Sequence, residues 1–193
     1  MVANSKIDIH IHTNLYKGIE RFSGGTYASP EEIRGMYKNL GISKGVILPA
    51  VDVECSFQTQ SNEEAYYITQ QNPDLFYWFC NIHPQMGNNS ASTDFSRFLE
   101  YYKKLGAKGV GEITANMYFD DPYVENLFYH CQKCEMPVLF HIGPTIGGCY
   151  GLVDEIGLPR LEKELDKFPD LQFIGHSQPF WSEISSDVTE ADR

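Results

Sequence analysis

Six short apolar runs punctuate the chain, at residues 7–11, 45–49, 76–82, 108–113, 137–142 and 171–175. Each is rich in Val, Ile, Leu or Phe and bounded by Gly, Pro or polar residues, which predicts β-strands. Helical stretches fall between them. The sequence Ser29-Pro30-Glu31-Glu32 offers an N-cap, a proline in the first turn and early acids, and the run it opens stops at Gly41. Further helices are predicted over 62–71, 92–105, 122–134 and 158–168. The second of these carries Phe95, Phe98, Leu99, Tyr102 and Leu105 at helical spacing.

Strand and helix alternate without a linker, a low-complexity tract or a charge block, so one domain is expected over 1–193. Alternation with buried strands means a parallel sheet, either doubly wound or closed into a barrel. The strands begin 29–38 residues apart, and a full eight-unit barrel takes about 250 residues. The expectation is therefore an α/β, TIM-barrel-like (β/α)8 fold with its first six units present and strands seven and eight missing. The chain runs out instead in the polar stretch SSDVTEADR. The doubly wound alternative would be strengthened by a phosphate-binding glycine loop after the first strand. HIHTNLYKG at 10–18 is not one. The glycine-rich GPTIGGCYG at 143–151 follows the fifth strand, and reads as a flexible active-site loop.

Strict alternation in the first strand puts Ile7, Ile9 and Ile11 on one face and Asp8, His10 and His12 on the other. In a barrel the isoleucines would lie under the helices and the histidines would point inward at the C-terminal rim, where such barrels carry their chemistry. His83, His141 and His176 end the third, fifth and sixth runs, and Glu112 ends the fourth. Of six histidines only His130 falls within a helix, where a structural role is expected. Each strand-end residue alone has an ordinary explanation as a hydrogen-bonded rim residue. Together, imidazoles converging with a carboxylate are what a divalent metal needs.

Composition narrows the alternatives. With 26 acidic against 15 Lys and Arg residues the net charge is −11. That disfavours nucleic-acid backbones and anionic membranes as partners. No apolar run approaches the ~20 residues of a membrane span, and the N-terminus does not read as a secretory signal, so a cytoplasmic location is expected. The odd cysteine count (Cys55, Cys80, Cys131, Cys134, Cys149) suggests structural thiols. The Cys131–Cys134 pair lacks a second pair to complete a zinc site.

DIHIHTN, GVGEI, PVLFHIG and FIGHSQPFW, in that order along the first, fourth, fifth and sixth strands, resemble the amidohydrolase superfamily. They are most similar to its amidohydrolase-related group (amidohydrolase family 2), which also holds non-oxidative decarboxylases. The resemblance implies that His10 and His12 bind a first metal and that His141 and His176 complete a second position, with Glu112 bridging. In single-metal members the residue matching His176 orients the water or substrate, so His176 and Glu112 are the implied catalytic groups. NIHP at 81–84 implies that His83 contacts substrate or leaving group. Two departures are visible. The superfamily's strand-eight aspartate has no counterpart in this sequence. Lys108 stands at the wrong end of the fourth strand to be a carbamylated ligand, which favours Glu112.

The expected function is hydrolysis of a small amide, lactone or ester by metal-activated water. Zn2+ is the expected metal (one or two ions), and Mn2+ also fits. A metal-dependent decarboxylase and a non-catalytic metal-binding protein stand as alternatives, and a 193-residue piece is expected to be weak or inactive. Tyr16, Phe57, Tyr118, Tyr150 and Trp181 are candidates to shape a substrate pocket, although ordinary packing explains each one; Trp181 stands with His83 as a substrate-contact residue. The exposed edges of an unclosed barrel would favour a homo-oligomer.

Overall fold

The computed structural model describes residues 6–184, so the stretch 185–193 that ends the sequence lies outside the described residues. The helices form where local chemistry starts and stops them. Helix α1 (Pro30–Leu40) is capped by a reciprocal pair: Ser29 accepts from the Glu32 amide, and the Glu32 carboxylate accepts from the Ser29 amide. It ends at Gly41, whose φ of 67° suits a residue without Cβ. Such a cap contributes about 1 kcal/mol. Helix α2 (Asn62–Gln71) is capped by Ser61, and α4 (Pro122–Lys133) by Asp121 with Pro122 in its first turn. The first turn of α5 (Pro159–Lys167) is held by Asp154, whose carboxylate accepts from the Arg160 and Leu161 amides at 3.1 and 2.9 Å.

The strands β1 (Lys6–Ile11), β2 (Ile42–Ile47) and β3 (Phe76–Trp78) pair in parallel in that order. So do β4 (Val110–Ile113), β5 (Val138–Phe140) and the strand at Phe173–Gly175. A parallel bridge between Cys80 and Val110 joins the two sets, with the Gly111 amide donating to the Cys80 carbonyl at 2.8 Å. Two short strands, β6 (Ile142–Gly143) and β7 (Leu152–Val153), pair with each other after β5, so the strand at Phe173–Gly175 is β8. The result is one parallel array, β1-β2-β3-β4-β5-β8, with strands in chain order.

That array is curved. Neighbouring strands lie about 4.8 Å apart, so five intervals in a flat sheet would separate β1 from β8 by roughly 24 Å. Yet the rings of His10 and His176, from the β1 and β8 ends, have centroids 4.1 Å apart. Val46, Leu48, Phe79 and Leu139, with Ile174, form a cluster on the inner face of the curve. The alternate positions Ile47, Phe76, Trp78, Val110, Val138 and Phe140 pack outward against Ile33, Ile68, Leu99, Leu127 and Phe128 of the helices. Each such fully buried side chain contributes about 1.5–3 kcal/mol relative to exposure. The fold is a partial (β/α) barrel.

Several elements differ from the sequence pattern. A register shift between Asp8 and Ile11 breaks the alternation of β1. Asp8 accordingly leaves the histidines' face and accepts from the Tyr37 hydroxyl of α1 at 3.0 Å. Ile11 packs on the helix layer, but Ile7 and Ile9 are 53% and 50% exposed rather than covered. Helix α3 is Ser96–Lys104, starting four residues late, because Ser90, Thr93 and Asp94 turn the preceding chain with side-chain bonds of their own. A sixth helix, α6 (Ser177–Ile184), begins directly after β8 where no helix was predicted. No helix among the described residues is long and apolar enough to cross a membrane.

Candidate metal centre

Glu112 occupies the penultimate position of β4, a strand buried along its whole length. Its neighbour Gly111 has a φ of 140°, and a Cβ there would overlap the Leu139 carbonyl oxygen of the adjacent strand. Only glycine allows β4 and β5 to approach so closely. Asn81 fixes the same backbone from the other side, its Nδ2 donating to the carbonyls of Glu112 (2.7 Å) and Pro49 (2.9 Å). Asn81 is fully buried and its own amide is received by Asn62.

Four imidazoles converge on this one carboxylate. Oε2 lies 3.0 Å from His10 Nε2 and 3.1 Å from His12 Nε2. Oε1 lies 2.9 Å from His141 Nδ1 and 2.6 Å from His176 Nε2. Burial pushes the Glu112 carboxyl up, but the four imidazole contacts outweigh it and hold the group well below the usual carboxylate range. His12 and Leu48 supply a further constraint. The Leu48 carbonyl oxygen only accepts, so His12 Nδ1–H donates to it at 2.9 Å. In neutral His12 the Nε2 lone pair then faces the Glu112 oxygen, two acceptors opposed at 3.1 Å. Only a shared positive species, a proton or a cation, relieves that opposition.

The donor set fits a divalent metal. His10, His12 and Glu112 form one group of ligand atoms, all within 4.8 Å of one another, and Glu112, His141 and His176 form a second. Imidazole nitrogens with a carboxylate suit borderline divalent ions. The His12 bond to Leu48 is the kind of outer contact that fixes a ligand's tautomer and aim. Each group uses a different oxygen of Glu112, so each oxygen with its pair of histidines could hold a cation.

A cavity of about 720 Å³ opens over this cluster, lined by the four histidines, Glu112, Arg21, Phe22, Tyr27, Asp52, Glu54, Phe57, Thr114 and Tyr150 among others. Tyr150 lies against His141 (ring centroids 4.4 Å), Tyr27 lies near His12 (5.6 Å), and Arg21 sits over Tyr27 at 4.3 Å. Phe57 and Tyr150 thus occupy the wall, whereas Tyr16, Tyr118 and Trp181 do not line it. Trp181 is 62% exposed on α6, packed on Phe180. His83 stands apart from the four converging histidines, with Nε2 3.6 Å from Glu54 Oε1. His130 is buried among Phe95 and Tyr129 and bonds Ser96 Oγ at 2.9 Å, away from the cluster. All five cysteines are free thiols. Asp52, Thr114, Arg21 and Tyr27 carried no periodic or motif signal in the sequence, and NIHP at 81–84 pointed to His83 rather than to Asn81.

No family model matches the chain, and no curated protein matches it in sequence. Solved structures do. An uncharacterized TIM-barrel protein from Bordetella bronchiseptica matches with a TM-score of 0.69 and 19% identity, over 94% of this chain and 70% of that one. A candidate 2-pyrone-4,6-dicarboxylic acid hydrolase from Pseudomonas putida matches at 0.58 and 14%, over 99% and 67%. A 2,6-dihydroxybenzoate decarboxylase from Rhizobium matches at 0.57 and 14%, over 90% and 66%. These likenesses establish the fold as that of TIM-barrel proteins, and the chain spans about two-thirds of each of these three proteins.

Proposed function

We propose that the protein is a metal-dependent hydrolase of the amidohydrolase superfamily, acting on a small amide, lactone or ester. The observation that carries this reading is the division of Glu112, one oxygen with His10 and His12, the other with His141 and His176. A carboxylate shared in this way suits two cations, and two cations suit activation of water more than capture of a carboxylate. The nitrogen-rich donors favour Zn2+, and Mn2+ also fits. When bound, the metal supplies a Lewis acid that polarises a substrate carbonyl and lowers the pKa of water from about 15.7 to about 7.

The chain's own residues do the rest. Leu48 holds His12 in one tautomer, and Asn81 and Gly111 fix the Glu112 backbone. Tyr27, Phe57 and Tyr150 wall the cavity with rings that bind an organic substrate and limit water. His83, 3.6 Å from the cavity-lining Glu54, is the group we assign to the leaving group. His176, at the end of β8, would complete the second metal position with His141.

A decarboxylase is the second reading, and one observation favours it. Arg21 lines the cavity and forms no ion pair among the described residues, which suits a carboxylate-bearing substrate. Metal content separates the two. We expect two equivalents of metal in the wild-type protein and a loss in both His10→Ala and His141→Ala, read by elemental analysis after dialysis. Unchanged metal in both variants overturns the site. One metal together with CO2 release overturns the hydrolase in favour of the decarboxylase.

A further inference from the structure

The stretch 144–151 joins β6 to β7 and carries three glycines, which reads in sequence as a flexible loop. The structure fastens it instead, and most of the fastening comes from one residue. Asn116 stands three positions beyond the end of β4. Its Oδ1 accepts from the Gly147 amide at 2.5 Å, and its Nδ2 donates to the carbonyls of Thr145 (3.0 Å) and Gly151 (3.3 Å). Within the loop the Cys149 thiol donates to the Thr145 carbonyl at 3.0 Å, and Asn116 Nδ2 lies 3.6 Å from the same sulfur. Asn116 is itself anchored, its amide donating to Glu54 Oε1 at 3.3 Å. One side chain thus ties the loop at 145, 147 and 151.

The far end of the loop meets the metal centre. The Gly151 amide donates to the carbonyl of Thr114, two residues beyond Glu112, at 2.7 Å. A Cβ on Gly151 would lie 2.9 Å from Cδ2 of His141. That close approach sets the ring of Tyr150 on the His141 imidazole, with centroids 4.4 Å apart and planes at 33°. The two halves of the cluster differ accordingly. The His141 and His176 side chains are each 14% exposed, against 30% for His10 and 22% for His12. Glycines make an unheld loop conformationally broad, so without the Asn116 bonds the ring would not stay in place.

We propose that Asn116 is a positioning residue for the metal centre: by holding the loop 144–151 it keeps Tyr150 over His141, and the ring slows the departure of a cation held by His141, His176 and Glu112. The position at His10 and His12, on the other oxygen of Glu112, is the more open one and exchanges faster. The inference rests on the metal reading of the cluster, and holds whether the centre hydrolyses or decarboxylates.

Release of Zn2+ from the loaded protein to an excess of a chromogenic chelator reads the rates. Two phases are expected in the wild type, the slow one lost in His141→Ala and kept in His10→Ala. Asn116→Ala and Tyr150→Ala should each speed the slow phase by about tenfold, the low end for loss of an outer contact at a metal site. Because Asn116 acts through the ring, the double variant should be no faster than Tyr150→Ala alone. Tyr150→Phe, which keeps the ring, should release as slowly as the wild type. A single phase, a slow phase that neither alanine variant speeds, a phenylalanine variant as fast as the alanine one, or effects that multiply in the double variant overturns the proposal. Tyr150 is 41% exposed, so its variants decide the covering even where Asn116→Ala folds poorly. Hydrogen exchange over 143–151 reads the lock without metal. Asn116→Ala should lose protection there with its melting temperature retained, and unchanged protection overturns the holding role. A wild-type protein that takes up no Zn2+ overturns the metal reading and the covering with it, while hydrogen exchange still decides the lock.

Discussion

Glu112 on β4 and Glu164 on α5 are the same residue at nearly the same burial, 4% and 2% exposed. Their surroundings drive them in opposite directions. Glu112 receives four imidazoles, and its carboxyl is held far below the ordinary range despite burial. Glu164 has a buried Oε2 without a hydrogen-bond partner among the described residues, and burial with the charge of Glu125 pushes it up to about 7. Burial alone therefore makes a carboxylate reluctant to ionise. What makes a site is burial combined with donors that arrive from several strands and that would repel one another without the carboxylate or a cation between them.

The sharpest way to break this comparison is to neutralise each glutamate in turn. Glu112→Gln should weaken metal binding by more than about 100-fold, beyond the 10–100-fold typical of losing an outer contact. Competition with a chelator measures it, and an affinity within tenfold of wild type would mean the imidazoles suffice without the carboxylate. Glu164→Gln should leave metal binding alone and change how stability responds to pH. Because the folded-state carboxyl is raised from 4.5 to about 7, the native protein holds more protons than the unfolded chain across that window. Stability of the wild type should then fall as pH rises from 4.5 to 7, and the variant should be flatter. Melting temperatures of the two should draw apart over that range; parallel curves would show that Glu164 finds a partner in solution. The smallest effect is expected on the strand that bears His10. Ile7→Ala on the half-exposed edge should change stability by no more than about 0.5 kcal/mol in urea denaturation, with metal content unchanged.

The sequence made the site's framework legible because strand ends are marked by a change of period and bounded by small or polar residues. His10, His12, Glu112, His141 and His176 all stand at such ends, and the parallel topology brings parallel strand ends to one rim. The details that failed have local causes. Alternation cannot show the register shift that turns Asp8 toward Tyr37 and leaves Ile7 and Ile9 half exposed. Apolar spacing over 92–105 describes a face but not its start, which the Ser90, Thr93 and Asp94 side-chain bonds delay to Ser96. Helix α6 opens at Ser177 with a φ of 73° and a proline two residues on, signals that read as a turn. Asp52 and Glu54 lie in an irregular segment, where no period exists to betray which way a side chain points.

The meeting of His10 and His176, with centroids 4.1 Å apart, has a consequence for how the molecule holds together. These two residues belong to the first and last strands of the array, so an ion held at their shared carboxylate would fasten β1 to β8. Fraying at either end, the weakest point of an open array, would dismantle the chemistry before the central strands loosen. A bound ion would resist that fraying by mass action. An ion held there would thus double as a clasp across the curved array.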